Sequence, residues 1–234
     1  MPRTKPVVVV AGLGDTGILV ATRLSRSCSV VAVATRPALV SGQELGTRLV
    51  DPDRWRRTYL VPLDRFRRLD DVRTLHGTVS AVDLERSTAT IALADGTRTD
   101  VAYDALVIAT GVTNGFWRND RVQDLESAGA EVTAASAELA RGASVAVIGG
   151  GATGGSVADN LARAGRAEVH LFHAGDEPLP GYHPRVRRWM ARQLRDDGVV
   201  VHPGHRAEVP DGFTGDAITH EPVTWSTGQP PFVA

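Results

Sequence analysis

Cysteine is nearly absent: Cys28 is the single one in 234 residues. One thiol excludes an intramolecular disulfide and any redox centre built from a cysteine pair within the chain. Lying between a helical stretch and a strand, Cys28 reads as a small packing residue. Long apolar runs are missing too, since none approaches the roughly 20 residues of a membrane-spanning helix. Arg3 and Lys5 precede only a short apolar run that leads straight into a glycine-rich turn, which is not the shape of a secretory signal. The expectation is a cytoplasmic protein. Excess charge is also lacking: 26 Lys and Arg stand against 27 Asp and Glu, so no global field draws nucleic acid or an anionic membrane. No Ser/His/Asp set, paired carboxylates or metal-ligand spacing stands out. His170 and His173 share a strand stretch, but i and i+3 on a strand point to opposite faces, which argues against a metal site.

What is present is ordinary globular usage, 42% apolar and 23% charged, in a chain able to bury roughly 70% of its unfolded surface. Val7 to Val10 is a β-branched, fully apolar run of the kind that suits a parallel strand buried on both faces. Gly12-Leu13-Gly14-Asp15-Thr16-Gly17 follows, then a helix-compatible stretch, then a second strand at Val30 to Val33. Residues 36–70 are punctuated by Pro37, Gly42, Pro52 and Pro62. Arg54, Arg56, Arg57, Arg65, Arg67 and Arg68 enrich this segment, and neighbouring aspartates favour a solvated face over a phosphate or membrane patch. Residues 72–103 read as a meander with a hairpin turn at Asp95-Gly96. Ala105 to Gly111 is an apolar strand stopped by small residues, and residues 127–141 read as a helix.

The opening pattern then recurs. Val145 to Ile148 is a strand, Gly149-Gly150-Gly151-Ala152-Thr153-Gly154 the turn, and a helix and a strand ending at Phe172 complete the unit. The two copies are too far apart for a solenoid period. They predict an α/β chain of two Rossmann-like domains, at residues 1–111 and 112–234. A further helix is expected over 184–196, then a strand at Val199 to Val201, then short strands and turns.

Each Gly-x-Gly-x-x-Gly has a mechanical reason. Gly12 and Gly149 permit the strand-to-helix turn, Gly14 and Gly151 let a pyrophosphate approach the backbone, and Gly17 and Gly154 let helix and strand pack closely. The helix start then offers free N–H groups and a positive dipole end. Both copies have the strand-before, helix-after context that a dinucleotide site requires. The acidic residue that normally meets the adenosine ribose, about 20 residues downstream, is absent twice: Thr35 and Arg36 stand at the first position, Phe172 and His173 at the second. With no carboxylate to repel a 2′-phosphate, and His173 near one, NADPH is favoured over NADH. Asp15 suits a helix start electrostatically and reads as its cap, although a phosphate would compete with it.

The order of elements resembles the pyridine-nucleotide:flavin oxidoreductase superfamily. It comprises a glycine-rich βαβ unit, a meander, Tyr103-Asp104-Ala105-Leu106-Val107-Ile108-Ala109-Thr110-Gly111, and a second glycine-rich βαβ unit. Within the superfamily the chain is most similar to type II NADH dehydrogenases and apoptosis-inducing-factor-like ferroptosis suppressor proteins. The resemblance implies that Gly12, Gly14 and Gly17 cradle the FAD pyrophosphate; Asp15 and Thr16 in the same loop and Thr35 and Arg36 at the ribose position are candidates beside them. Ala109, Thr110 and Gly111 would pass close to the flavin. Gly149, Gly151 and Gly154 would hold NAD(P)H, with Ala152 and Thr153 in the same loop and His173 at the ribose position as candidates beside them. The implied reaction passes hydride from NAD(P)H to flavin and on to a small acceptor such as a quinone, with peripheral membrane contact in the intact protein. A ferredoxin- or rubredoxin-type protein as acceptor is the alternative, and an inactive nucleotide-binding module is another.

Two departures stand out. Gly155-Ser156 replace a Val-Glu pair common after the second loop, and no Gly-Asp segment follows the second domain to meet the flavin's ribityl chain. Gly215-Asp216 lies too early and reads as a turn. The FAD domain is therefore expected to be incomplete, with exposed apolar surface and unpaired strand edges. His183 and Arg185 read as the turn that opens the 184–196 helix, with contact to the nicotinamide nucleotide as the alternative.

Overall fold

Four valines and an alanine make β1 (Val7–Ala11), and β-branched side chains of this kind pack well when a strand is covered on both faces. All but its first residue are buried. In the computed structural model, which describes residues 5–40, 45–112, 120–213 and 218–234, β1 leads into α1 (Asp15–Leu24) and returns as β2 (Ser29–Ala34). There follow β3 (Ala38–Val40), α2 (Leu45–Val50), α3 (Pro52–Thr58), β4 (Leu60–Pro62), β5 (Val72–Asp83), β6 (Thr88–Leu93), β7 (Arg98–Ala102) and β8 (Ala105–Ile108). The later elements are α4 (Leu125–Leu139), β9 (Ser144–Ile148), α5 (Ala152–Ala164), β10 (Glu168–Phe172), α6 (Pro184–Asp196) and β11 (Val200–His202).

The described residues fall into two compact units, 5–40, 56–112 and 120–128 in the first and 45–55, 129–213 and 218–234 in the second. The first unit holds a six-stranded sheet ordered β7-β6-β5-β2-β1-β8. Its β5, β2, β1 and β8 run parallel, and β6 and β7 add an antiparallel meander to β5. The hairpin at Asp95-Gly96 forms as the sequence suggests, with Gly96 at φ +83° and Leu93 N–H donating to Thr97 O at 2.9 Å. One face of the sheet packs Val8, Val10, Ile18, Ala21 and Ala32 together; Cys28 lies against this cluster. The other face joins Val9, Val31 and Val33 to Ala89, Ile91 and Val101. The second unit holds the parallel sheet β11-β10-β9, with Val145, Val147, Val157, Leu161, Val169, Leu171 and Leu194 in its core.

Residues 36–70 contain more regular structure than their prolines suggest: the β3–β4 ladder, two short helices and two 3-10 turns. All six arginines singled out there are exposed, as the solvated-face reading expects. The 45–55 stretch groups with the second unit, so compactness does not follow a single cut in the chain. There α2 meets α5 so closely that a methyl on Gly46 would lie 2.6 Å from Asn160 Nδ2. The apolar strand that starts at Ala105 stops at Ile108, where the small residues Ala109, Thr110 and Gly111 follow. As the edge strand of its sheet, β8 leaves Ile108 75% exposed; Val112 is 70% exposed and Leu19 on α1 58%. Among the described residues, exposed apolar surface and an open strand edge are thus both present.

Candidate functional site

The first glycine loop joins β1 to α1. Gly12 adopts φ +99°, and its N–H donates to Val33 O at 2.8 Å. A methyl on Gly12 would strike the carbonyl oxygen of Ala109, and one on Gly17 would strike the carbonyl oxygen of Gly12. These two positions therefore hold the helix start against the strand end. Gly14 differs: its backbone is extended, a methyl there meets nothing within 4 Å, and no side chain caps α1. The first N–H groups of a helix have no intrahelical acceptor, and here they face open space beside a residue without a Cβ. That geometry fits an anion.

Asp15 is not the cap. It is the first helical residue, exposed, and Gly14 holds the cap position. Its carboxylate complements the helix dipole from within the first turn instead of accepting from a first-turn N–H. Thr16 beside it is exposed.

Thr35 and Arg36 follow β2. The Thr35 carbonyl accepts from Gln123 N–H at 2.9 Å and lies 3.2 Å from His76 Nε2. His76 Nε2 is also 3.0 Å from Gln123 O. Arg36 Nε and Nη2 donate to Gln123 Oε1 at 3.0 and 2.6 Å. The buried Gln123 thus anchors the strand end where a ribose is expected. Nothing local in the sequence marks it, because its partners lie some 90 residues earlier in the chain. Ala109 N–H donates to Ala11 O at 2.8 Å, which sets its carbonyl over Gly12. Thr110 and Gly111 are exposed beyond it.

The second loop repeats the plan. Gly149 has φ +112° and donates to Phe172 O at 2.9 Å, a methyl on Gly154 would strike the Gly149 carbonyl, and Gly151 faces open space at an uncapped start of α5. Ala152 and Thr153 are exposed in the first turn. The surroundings differ. Gly149 has nothing within 4 Å of its virtual methyl, whereas one on Gly150 would lie 2.7 Å from His173 Cβ.

His173 is 5% exposed and packs against Gly150. Burial holds its imidazole below the usual histidine range, against a smaller opposing pull from the Gly175 backbone. A buried, neutral ring is poorly suited to meet a phosphate charge at the exposed start of α5. His183 caps α6, its Nδ1 accepting from Arg185 N–H at 3.2 Å, as the helix-opening reading expects. Gly215-Asp216 lies outside the described residues.

The fold recurs in known proteins. The chain is 32% identical over 169 residues to the type II NADH:quinone oxidoreductase NdhA of Mycobacterium tuberculosis, covering 58% of this chain and 36% of that protein. It superposes on the reduced Bacillus anthracis CoADR-RHD with a TM-score of 0.72 at 20% identity, over 98% of this chain and 42% of the other. It also superposes on Plasmodium falciparum NDH2 in complex with NADH with a TM-score of 0.70 at 14% identity, over 96% and 52%. The chain therefore spans between about a third and a half of the length of these proteins. Residues 5–229 match the model of one family, and the chain belongs to it: the pyridine nucleotide-disulphide oxidoreductases.

Proposed function

We propose that the first glycine loop holds FAD, the second holds NAD(P)H, and the protein of which this chain is a part passes reducing equivalents to a small acceptor such as a quinone. The observation that carries this reading is the pair of uncapped helix starts, each beside an unobstructed glycine, Gly14 and Gly151. Gly12 and Gly17 set the first loop for a pyrophosphate, with Thr16 in the first turn and Thr35 at the ribose end. Arg36 is partly committed to Gln123, so its role there is to stiffen the strand end. Ala109, Thr110 and Gly111 line the far side of the same loop. Gly149, Gly154, Ala152 and Thr153 set the second loop, with His173 as a packing support beneath it.

Bound together, the two nucleotides supply hydride chemistry, and the protein supplies orientation and electrostatics. Cys28 has no partner cysteine, so disulfide exchange within the chain is excluded despite the family's name. The NdhA relative, a type II NADH:quinone oxidoreductase, supports a quinone as acceptor. The missing carboxylate after β10 supports NADPH.

The test is the visible spectrum of the purified chain with FAD, followed by anaerobic NADPH and NADH. A flavin band that bleaches on addition supports the reading, and the faster donor identifies the nicotinamide cofactor. A quinone and a ferredoxin-type protein, offered in turn to the reduced form, separate the two classes of acceptor. A chain that binds neither nucleotide, by colour or by calorimetry, would sink it.

A further inference from the structure

Four histidines of the second unit gather around the ends of β10 and β11: His170, His173, His202 and His205. His170 Nδ1 and His202 Nε2 share a hydrogen bond of 3.0 Å. Phe172 stacks on His202 with ring centroids 4.2 Å apart. The segment from Val223 onward closes over these rings. Trp225 lies 4.5 Å from Phe172 and edge-on to His205 at 5.0 Å, and Phe232 lies 4.7 Å from His170. Val223 and Phe232 exchange backbone hydrogen bonds of 2.8 and 2.9 Å, and Glu208 N–H donates to Thr224 O at 2.9 Å. Among the described residues no group of three or more His, Cys, Asp or Glu is arranged to hold a metal ion.

A neutral imidazole pair bonds because one ring donates and the other accepts. A first proton keeps that arrangement, and the aromatic faces attract the cation. A second proton makes both facing nitrogens donors and sets two like charges about 3 Å apart. The surroundings do little to offset this. Glu168 Oε2 is 3.6 Å from His170 Nε2, but the glutamate is 62% exposed. Burial first, then His170 and His205, hold His202 below its ordinary range. Asp176 favours charge on His173, yet desolvation outweighs it. Arg206, the nearest cation along the chain, is exposed, and residues 222–233 carry no titratable side chain.

We propose that this cluster is an acid-sensitive latch: doubly protonating the His170–His202 pair releases the segment that carries Trp225 and Phe232 from the sheet. The latch reaches the second glycine loop. His173 N–H donates to His202 O at 3.1 Å, His205 N–H donates to His173 O at 2.9 Å, and His173 packs against Gly150. Release therefore loosens the loop and weakens nicotinamide nucleotide binding, a consequence that rests on the function proposed above.

The test is amide hydrogen exchange on the full chain near pH 7.5 and near pH 5, corrected for intrinsic rates, with the histidine rings followed by NMR. Expected are a His202 titration below the ordinary histidine value and a loss of protection at Val223 and Phe232 of at least about tenfold near pH 5. Protection in the first unit should be unchanged. His202→Gln keeps a hydrogen-bonding group and removes the proton site, so its segment should stay protected near pH 5. His170→Gln is the second variant should the first fail to fold. Unchanged protection in the wild type overturns the latch, as does equal loss in wild type and variant. NADH titration at both pH values is read separately. Failure to bind near pH 7.5 removes the nucleotide reading and leaves the latch to the exchange data. Equal affinity at both pH values, with release observed, removes the coupling to the loop.

Discussion

A methyl group placed on Gly12 runs into the carbonyl oxygen of Ala109, whereas the same methyl on Gly149 meets nothing within 4 Å. The two loops share a sequence pattern and a positive φ at their first glycine, yet one is roofed by its own unit and the other is open. The second is supported from another side, where His173 packs against Gly150. The motif therefore specifies the turn and the helix start, while the surroundings decide how firmly the turn is held. The roofed loop is held by the backbone of Ala109 and Thr110 packed against Gly12, with Ala109 N–H donating to Ala11 O. The open loop depends on a packed histidine and on the residues around it.

The largest effects should fall where the loops are alike. Gly17→Ala and Gly154→Ala each drive a methyl into a backbone carbonyl, and each should cost about 3 kcal/mol or more, read from urea unfolding of the corresponding unit. A tolerated substitution at either position would mean that the helix does not approach its loop as described. The next pair tests the difference. Gly149→Ala pays only for a positive φ, about 1–2 kcal/mol, while Gly12→Ala pays for that and for the Ala109 contact. Equal costs in the same assay would erase the distinction between roofed and open loops.

Gly14→Ala and Gly151→Ala should change stability by no more than about 1 kcal/mol while lowering dinucleotide affinity roughly tenfold or more. Calorimetry alongside a melting curve separates the two quantities. Undiminished affinity would show that neither backbone is approached by a phosphate.

The smallest effect is one of pH and belongs to the second unit. His173 and His202 sit below their ordinary value of 6.5. The stability they contribute is present above pH 6.5 and is lost as pH falls through their depressed folded-state values. Asp159 works in the opposite sense. Burial and the neighbouring Asp197 raise it to about 6 from 3.8, so its contribution is present below pH 3.8 and is lost as pH rises through about 6. Acidification from neutrality should therefore weaken the second unit through its histidines, with a partial offset from Asp159. Asp159→Asn should raise the urea midpoint at neutral pH slightly and remove that offset. A lowered midpoint at neutral pH would show that the Asp159 carboxylate stabilises by its charge.

Much of this layout was legible because it is local. Val7 to Val10 and Val145 to Ile148 announce buried parallel strands, the glycine triplets announce the turns, and α6 matches its expected span from Pro184 to Asp196. What escaped is non-local. Gln123 holds Thr35 and Arg36 from far along the chain, and α2 joins the second unit because Gly46 meets Asn160. His173 follows a strand and looks available, yet its neighbours come from residues 150, 202 and 205. Asp15 was misplaced by a single position, enough to turn an expected cap into a first-turn residue.

The bare starts of α1 and α5 carry one more consequence. A helix capped by its own serine or aspartate has its first turn satisfied before any ligand arrives, whereas these two begin on glycines that make no side-chain cap. The missing acceptors come from solution, from water or, on the function proposed above, from the phosphates of a bound nucleotide. Ligand concentration then acts as a stabilising variable: one site held at a hundredfold excess over its Kd adds about 2.7 kcal/mol to the folded state. On the function proposed above, each unit would report its own occupancy through its melting temperature, and depleting one nucleotide would loosen one unit and not the other.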